Sequence, residues 1–362
     1  MRTLATMLSF VMAAAIFTGC AGGGKEQPTT QEETTMAESE DTEKAVDETT
    51  KTADAGSGEA STGIVDDLGD VEAKSSYKIG FTITVRDQFL STLESAADAE
   101  SKNLGISLTV VDANNSSNTQ LQNVQTFVAT GMDAILINLV NTDNAQEMID
   151  AAGDVPVVFV NRMPDAPMTA GKQTYVGSNE EDAGRFQGEF LAEYFKKEGN
   201  TSPDIVILTG QPGLQNTTLR TESAKKALED NGLTPNYVYE DTAEWDRAKA
   251  QNKMQIFIGT GQNFDAVVCN NDEMALGAIE GIRNSGMDPK ETPIVGIDAT
   301  QDGLEGIESG EMAFTVFQNP VGQGAGAIRA ATVLANGDPI DIDVPIPFEP
   351  VSVDNYKDYL NP

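Results

Sequence analysis

Residues 267–281 read VVCNNDEMALGAIEG, with one thiol, two amides and two carboxylates side by side from Cys269 to Glu273. Such groups could hold a metal, form a catalytic pair, cap a helix or contact a ligand. The chain of 362 residues has no histidine, which removes Ser-His-Asp and Cys-His nucleophiles and every His-containing zinc site. Its two cysteines, Cys20 and Cys269, cannot build a structural zinc site or a disulfide framework. Cys269 closes an apolar run and reads as a small buried hydrophobe. Asp272 and Glu273 read as the first turn of a helix, where carboxylates offset the dipole. Met274 reads as core. Similar polar groups follow other apolar runs: Arg86-Asp87-Gln88-Phe89, Asn161-Arg162, the stretch GQPGLQNTTLR with Asn216 and Arg220, then Asp298 and Gln318. Asn, Asp, Gln and Arg make paired hydrogen bonds of the kind that grip vicinal hydroxyls. One such ending is a cap or a turn, but six together describe a cleft that reads a neutral polyol.

The elements that would carry these groups alternate. YKIGFTIT, ISLTVV, DAILIN, VPVVFV, DIVILT, DAVVCN and TPIVGID are short apolar runs. Each is followed by a stretch of helical periodicity, for example 88–103 and 121–130. Continuous apolar strands covered by helices on both faces predict a mostly parallel, doubly wound α/β sheet. About a dozen strands exceed one compact sheet, so two lobes are expected. No Gly/Pro/Ser linker divides them and no internal repeat is visible. In such sheets ligands bind beyond the carboxyl ends of the strands. Gly322-Gln323-Gly324-Ala325-Gly326-Ala327 resembles a dinucleotide fingerprint. It lies too near the end of the sequence for the βαβαβ half that a dinucleotide needs, and reads as a small-residue helix face.

A formal charge of −34 repels nucleic acid and anionic lipid. Residues 1–20 carry Arg2 and an apolar run too short to span a membrane, as in a secretory signal. Thr18-Gly19-Cys20 resembles a lipobox, although Phe17 stands where leucine is usual; the resemblance implies lipidation of Cys20. Residues 21–76 hold 15 acidic and 4 basic side chains and few large apolar ones, a composition that stays solvated. As a flexible tether they would reach roughly 40 Å.

The motifs VPVVFVNRMP, YVGSNEEDAGRFQGE, ILTGQPGLQNTTLRTES, DTAEWDRAKAQNKM, NNDEMALGAIE and IVGIDAT resemble the periplasmic-type sugar-binding proteins of ABC transporters, from about Lys78 onward. Trp245 in DTAEWD is similar to the galactose/glucose branch. The resemblance implies a type I periplasmic binding protein fold: two doubly wound parallel-sheet lobes joined by a hinge. It places residues 77–178 plus 319–336 in one lobe and 179–318 plus 337–362 in the other. It implies that Phe89 and Trp245 sandwich a pyranose, and that Asp87, Asn161, Arg162, Asn216, Arg220, Asn271, Asp298 and Gln318 form the polar shell. Asn270 is left without a role. The expected protein is a monomeric, lipid-anchored, extracytoplasmic receptor that passes a monosaccharide to an ABC permease, with no cofactor, metal, nucleic-acid partner or catalysis.

Leu214 and Asn216 stand where that branch has a histidine and an aspartate, Gln318 replaces an asparagine, and EGNTSPD is too short for the branch's calcium loop. These departures leave the exact sugar open. A lone tryptophan is more often packing than platform, yet Glu244 and Asp246 beside Trp245 argue against full burial. Two alternatives remain. One is a sensory receptor for a chemoreceptor or kinase. The other is a glycoside-processing enzyme using Asp87 and Asp298. For the enzyme, no feature of the sequence raises either pKa and a nearby arginine would lower them.

Overall fold

The structure, a computed structural model, describes residues 66–360. The signal segment, Cys20 and the tether up to residue 65 lie outside them. Among the described residues, β1 (Lys78–Ile83), α1 (Gln88–Asn103), β2 (Ser107–Asp112), α2 (Ser117–Ala129), β3 (Ala134–Ile137), α3 (Ala145–Ala152), β4 (Val157–Val160) and β5 (Gln173–Gly177) form the first lobe. The second lobe holds α4 (Glu180–Glu198), β6 (Asp204–Thr209), α5 (Gln215–Asp230), β7 (Asn236–Thr242), α6 (Arg247–Ile258), β8 (Ala266–Cys269), α7 (Asp272–Asn284), β9 (Ile294–Val295), α8 (Gln301–Ser309) and β10 (Phe314–Gln318). The helix α9 (Pro320–Asn336) returns to the first lobe and packs on α1 and β3 to β5. Two strands complete the sheets: β11 (Asp343–Pro345) pairs with β5, and β12 (Phe348–Ser352) pairs with β10.

The sheet orders are β11-β5-β4-β3-β1-β2 and β12-β10-β9-β8-β6-β7. They are the same order twice, so the chain contains a structural repeat that its sequence hides. All pairings are parallel except that of β12. The two doubly wound lobes expected from the alternation are therefore present. Strands β3, β4 and β8 are buried along their whole length, while the edge strands β2 and β7 are partly exposed. This explains why the central strands are unbroken apolar runs. Each fully buried Ile, Val or Phe contributes about 1.5–3 kcal/mol through lost apolar hydration.

Two boundaries differ from expectation. Residues 337–362 do not all belong to the second lobe, because β11 extends the first sheet and the chain crosses over only after Pro345. The end of the presumed tether is also ordered. Asp66 accepts a 2.9 Å bond from Arg329 Nε, and Asn336 on α9 accepts from Lys74 N and Tyr77 Oη and donates to the Glu72 carbonyl. Leu68 and Ala73 pack on the first-lobe core. A sparse but well-spaced pair of apolar side chains, with specific polar partners, suffices to dock residues 66–76.

The glycine-rich stretch at 322–327 lies inside α9. A Cβ on Gly324 would stand 2.2 Å from the Leu93 carbonyl of α1, so glycine there allows two helices to touch. This is the packing role expected of it.

Candidate functional site

Both sheets point their carboxyl-terminal strand ends into one cleft. Asp87 caps α1 after β1, its Oδ1 accepting from Leu90 N at 2.7 Å. Phe89 follows in the first turn and is almost fully buried. Asn161 ends β4 in the left-handed region, with φ 68°. Its Nδ2 donates to Gln323 and its Oδ1 accepts from Asn138. Arg162 is buried, and its Nη1 donates to the Leu139 carbonyl at 2.7 Å. Burial pushes its pKa down to about 10, with Asp87 opposing.

From the second lobe, Asn216 sits in the first turn of α5 and Arg220 one turn on. Arg220 is wholly engaged. Its Nε donates to Glu180 at 2.6 Å, Nη1 to the Asn270 carbonyl at 2.9 Å and Nη2 to Gln318 Oε1 at 3.2 Å. Asp298 lies 3.9 Å from Nη1. Burial opposes the Arg220 charge, but Glu180 and Asp298 outweigh it and raise the pKa. The pair with Glu180 needs α4 and α5 in contact. Gly184 on α4 permits this, since a Cβ there would be 2.1 Å from the Arg220 carbonyl.

Asn271 caps α7 through a 3.0 Å bond from Met274 N to its Oδ1, leaving Nδ2 for the cavity. Asp298 follows β9 at φ 125°. Gln318 ends β10, and its Nε2 is buried without a partner. Trp245 follows β7 and is half-buried. One cavity of ≈ 40 Å³ is lined by all ten of the residues picked from sequence, Asp87, Phe89, Asn161, Arg162, Asn216, Arg220, Trp245, Asn271, Asp298 and Gln318, together with Leu90. A larger space of ≈ 230 Å³ lies between Tyr175, Ser178 and Glu180, the partner of Arg220.

The carboxylates behave differently from expectation. Burial raises the Asp87 pKa, against the pull of the Leu90 amide and then Arg162. Burial raises Asp298 well above the usual carboxylate range, with Arg220 opposing. Desolvation outweighs the arginines because Asp298 is buried and Asp87 is largely enclosed. Other placements refine the reading. Arg86 turns outward to Glu94 and Asp112. Leu214 is buried and does not line the cavity. Asp272 and Glu273 start α7, but their charges are used across the lobe. Asp272 accepts from Thr300 N and Thr315 Oγ1, and Glu273 pairs with Arg247. Cys269 is fully buried and burial pushes its thiol pKa up.

The sequence did not reveal Glu180, Asn138, Gln187 or Gln323. Glu180 sits in an acidic first helical turn with Glu181 and Asp182, where it reads as a dipole partner. Its real partner, Arg220, is 40 residues away. Gln187 is buried and spans the Cys269 and Gly296 carbonyls at 2.8 and 2.9 Å, tying the ends of β8 and β9 together.

Residues 79–339 match the periplasmic binding protein domain family. The chain belongs to that family. This periplasmic binding protein is 35% identical over 293 residues to a putative rhizopine-binding protein of Rhizobium meliloti, covering 79% of this chain and 94% of the relative. It is 32% identical to the D-galactose/methyl-galactoside binding periplasmic protein of Haemophilus influenzae, covering 78% and 92%. Among solved structures, an ABC transporter solute binding protein of Bacillus halodurans with bound myo-inositol superposes with a TM-score of 0.73. The two are 33% identical, with 80% of this chain and 98% of that one covered.

Proposed function

We propose that this binding protein captures a six-membered cyclic polyol, a galactose/glucose-like monosaccharide, by closing its lobes on it, and delivers it to an ABC permease. The observation that carries this reading is the meeting of one aromatic and several unspent polar groups from each sheet in one small cavity. Phe89 and Trp245 would flank the ring, whose C–H faces sit well on aromatics. Oδ2 of Asp87, the Asp298 carboxylate, Asn216 and Asn271 Nδ2, and Gln318 Nε2 would take the hydroxyls. Asn161 and Arg220 are held by the protein itself and would present fixed edges to the guest. A micromolar constant corresponds to about −8 kcal/mol, within reach of such a set.

Lipid attachment through Cys20 would keep the receptor at the outer face of the cell membrane, working as a monomer and needing no cofactor. Its relatives are solute-binding proteins, and no turnover is expected. A cyclitol is the second reading, favoured by the myo-inositol in the related Bacillus halodurans structure.

A calorimetric and thermal-shift panel of D-galactose, D-glucose, D-ribose and myo-inositol tests the proposal. A ligand at a hundred times its dissociation constant stabilises by about 2.7 kcal/mol. No shift by any of them at about 1 mM would sink the reading. Release of nitrophenol from nitrophenyl galactoside or glucoside would instead support the enzyme.

A further inference from the structure

Asn270 is fully buried and is not among the residues lining the cleft cavity, yet three features meet at it. Its Oδ1 accepts from Gly210 N at 3.0 Å and from Thr221 Oγ1 at 3.2 Å. Its backbone carbonyl accepts from Arg220 Nη1 at 2.9 Å. Gly210 is in turn held from its other side, where its carbonyl accepts from Thr242 Oγ1 at 2.7 Å. Trp245 rests directly on that glycine. A Cβ at Gly210 would be 2.1 Å from two carbons of the six-membered indole ring.

Elsewhere the indole packs on the second-lobe core, and Arg220 Cζ lies 5.8 Å from its ring. Glu244 and Trp245 both occupy the left-handed region, at φ 52° and 67°, which a bulky residue adopts only when its surroundings impose it. Trp245 Nε1 is buried and has no hydrogen-bond partner, so no hydrogen bond fixes the ring's rotation. The flat face offered by Gly210 does so by packing.

We propose that Asn270 is a positioning residue for the binding cleft. Through Gly210 it seats the Trp245 ring, and through its carbonyl it fixes the Arg220 guanidinium, so that the aromatic and cationic parts of the second-lobe wall share one anchor. The assignment rests on the proposed function only for its effect on affinity, because the placement of the indole can be read without a ligand.

Trp245 is the only tryptophan in the chain, so fluorescence excited at the red edge of indole absorption, beyond that of tyrosine, reports on this ring alone. The test compares wild type, Asn270→Ala and Gly210→Ala, first ligand-free, by emission maximum and acrylamide quenching. Gly210 does not need a positive φ, so its alanine variant moves the ring without backbone strain. Both variants should shift the emission and raise quenching. Both should also weaken D-galactose or myo-inositol, whichever the wild type binds, at least tenfold, while far-ultraviolet circular dichroism stays native. A folded Asn270→Ala protein with wild-type emission and quenching would overturn the proposal. Should that variant fail to fold, wild-type emission from Gly210→Ala would overturn it equally. If the wild type binds neither sugar, the ligand reading fails while the ligand-free emission still decides the positioning role.

Discussion

At the scale of residues, the cleft combines groups with unequal freedom. Arg220 has every nitrogen committed, so it acts as a fixed cation and a brace. The Asp298 carboxylate accepts no hydrogen bond from the described residues and lies 3.9 Å from Arg220 Nη1, so both its oxygens are left for a guest. Its raised pKa sets a pH dependence. A hydroxyl of a neutral polyol donates to the ionised carboxylate, and in the empty protein a proton competes for that oxygen. Because burial raises the pKa, the competition reaches above the ordinary carboxylate range. Affinity should therefore fall as pH is lowered, and the fall should begin above the ordinary carboxylate range. Asp298→Asn should bind more weakly overall and flatten that slope, leaving the smaller contribution of Asp87, which burial also raises. Calorimetric titrations at a series of pH values check both outcomes. Trp245→Ala, which removes one face of the stacking pair, should weaken binding by about 1–3 kcal/mol, roughly five- to 150-fold.

At the scale of elements, short side-chain bridges set the strand ends. Asp272 in α7 accepts from Thr300 at the start of α8 and from Thr315 in β10. Burial pushes its pKa up to about 7, while those donors pull it down. Removing the acceptor leaves a buried amide and two hydroxyls unpaired. Asp272→Ala should cost about 2 kcal/mol, since part of the loss is offset by relief of a poorly solvated acid. Asp272→Asn retains one acceptor and should cost less. Urea unfolding, read as a change in midpoint at constant slope, measures this. The helix starts and the apolar strands were legible because both are local patterns. These bridges were not, because Thr315 is 43 residues from Asp272 and nothing in either neighbourhood announces the pairing.

At the scale of the molecule, two similar sheets must act as one receptor. A direct side-chain link between the lobes outside the cavity is the 3.2 Å bond from Gln88 Nε2 on α1 to Asp302 Oδ1 on α8. A contact made only when the lobes are close biases the equilibrium towards closure without touching the guest. Gln88→Ala should therefore weaken every bound polyol by the same few-fold factor and leave their ranking unchanged, as a calorimetric panel would show. A change in ranking would place Gln88 in the recognition surface instead. Residues 66–76 lie along α9 of the first lobe.

The sequence by itself determined the doubly wound class, the two lobes and the polar strand ends, because hydrophobic period and residue type are local quantities. Resemblance to known motifs then picked out the ten residues that share one cavity. Tertiary structure decided what lay between distant segments: the pairing of β11 with the first sheet, the docking of residues 66–76, and the placement of Gly210, bonded to Asn270, beneath Trp245. It also decided the state of the two aspartates, because a pKa depends on how much water the fold removes, and no neighbour in sequence reports that.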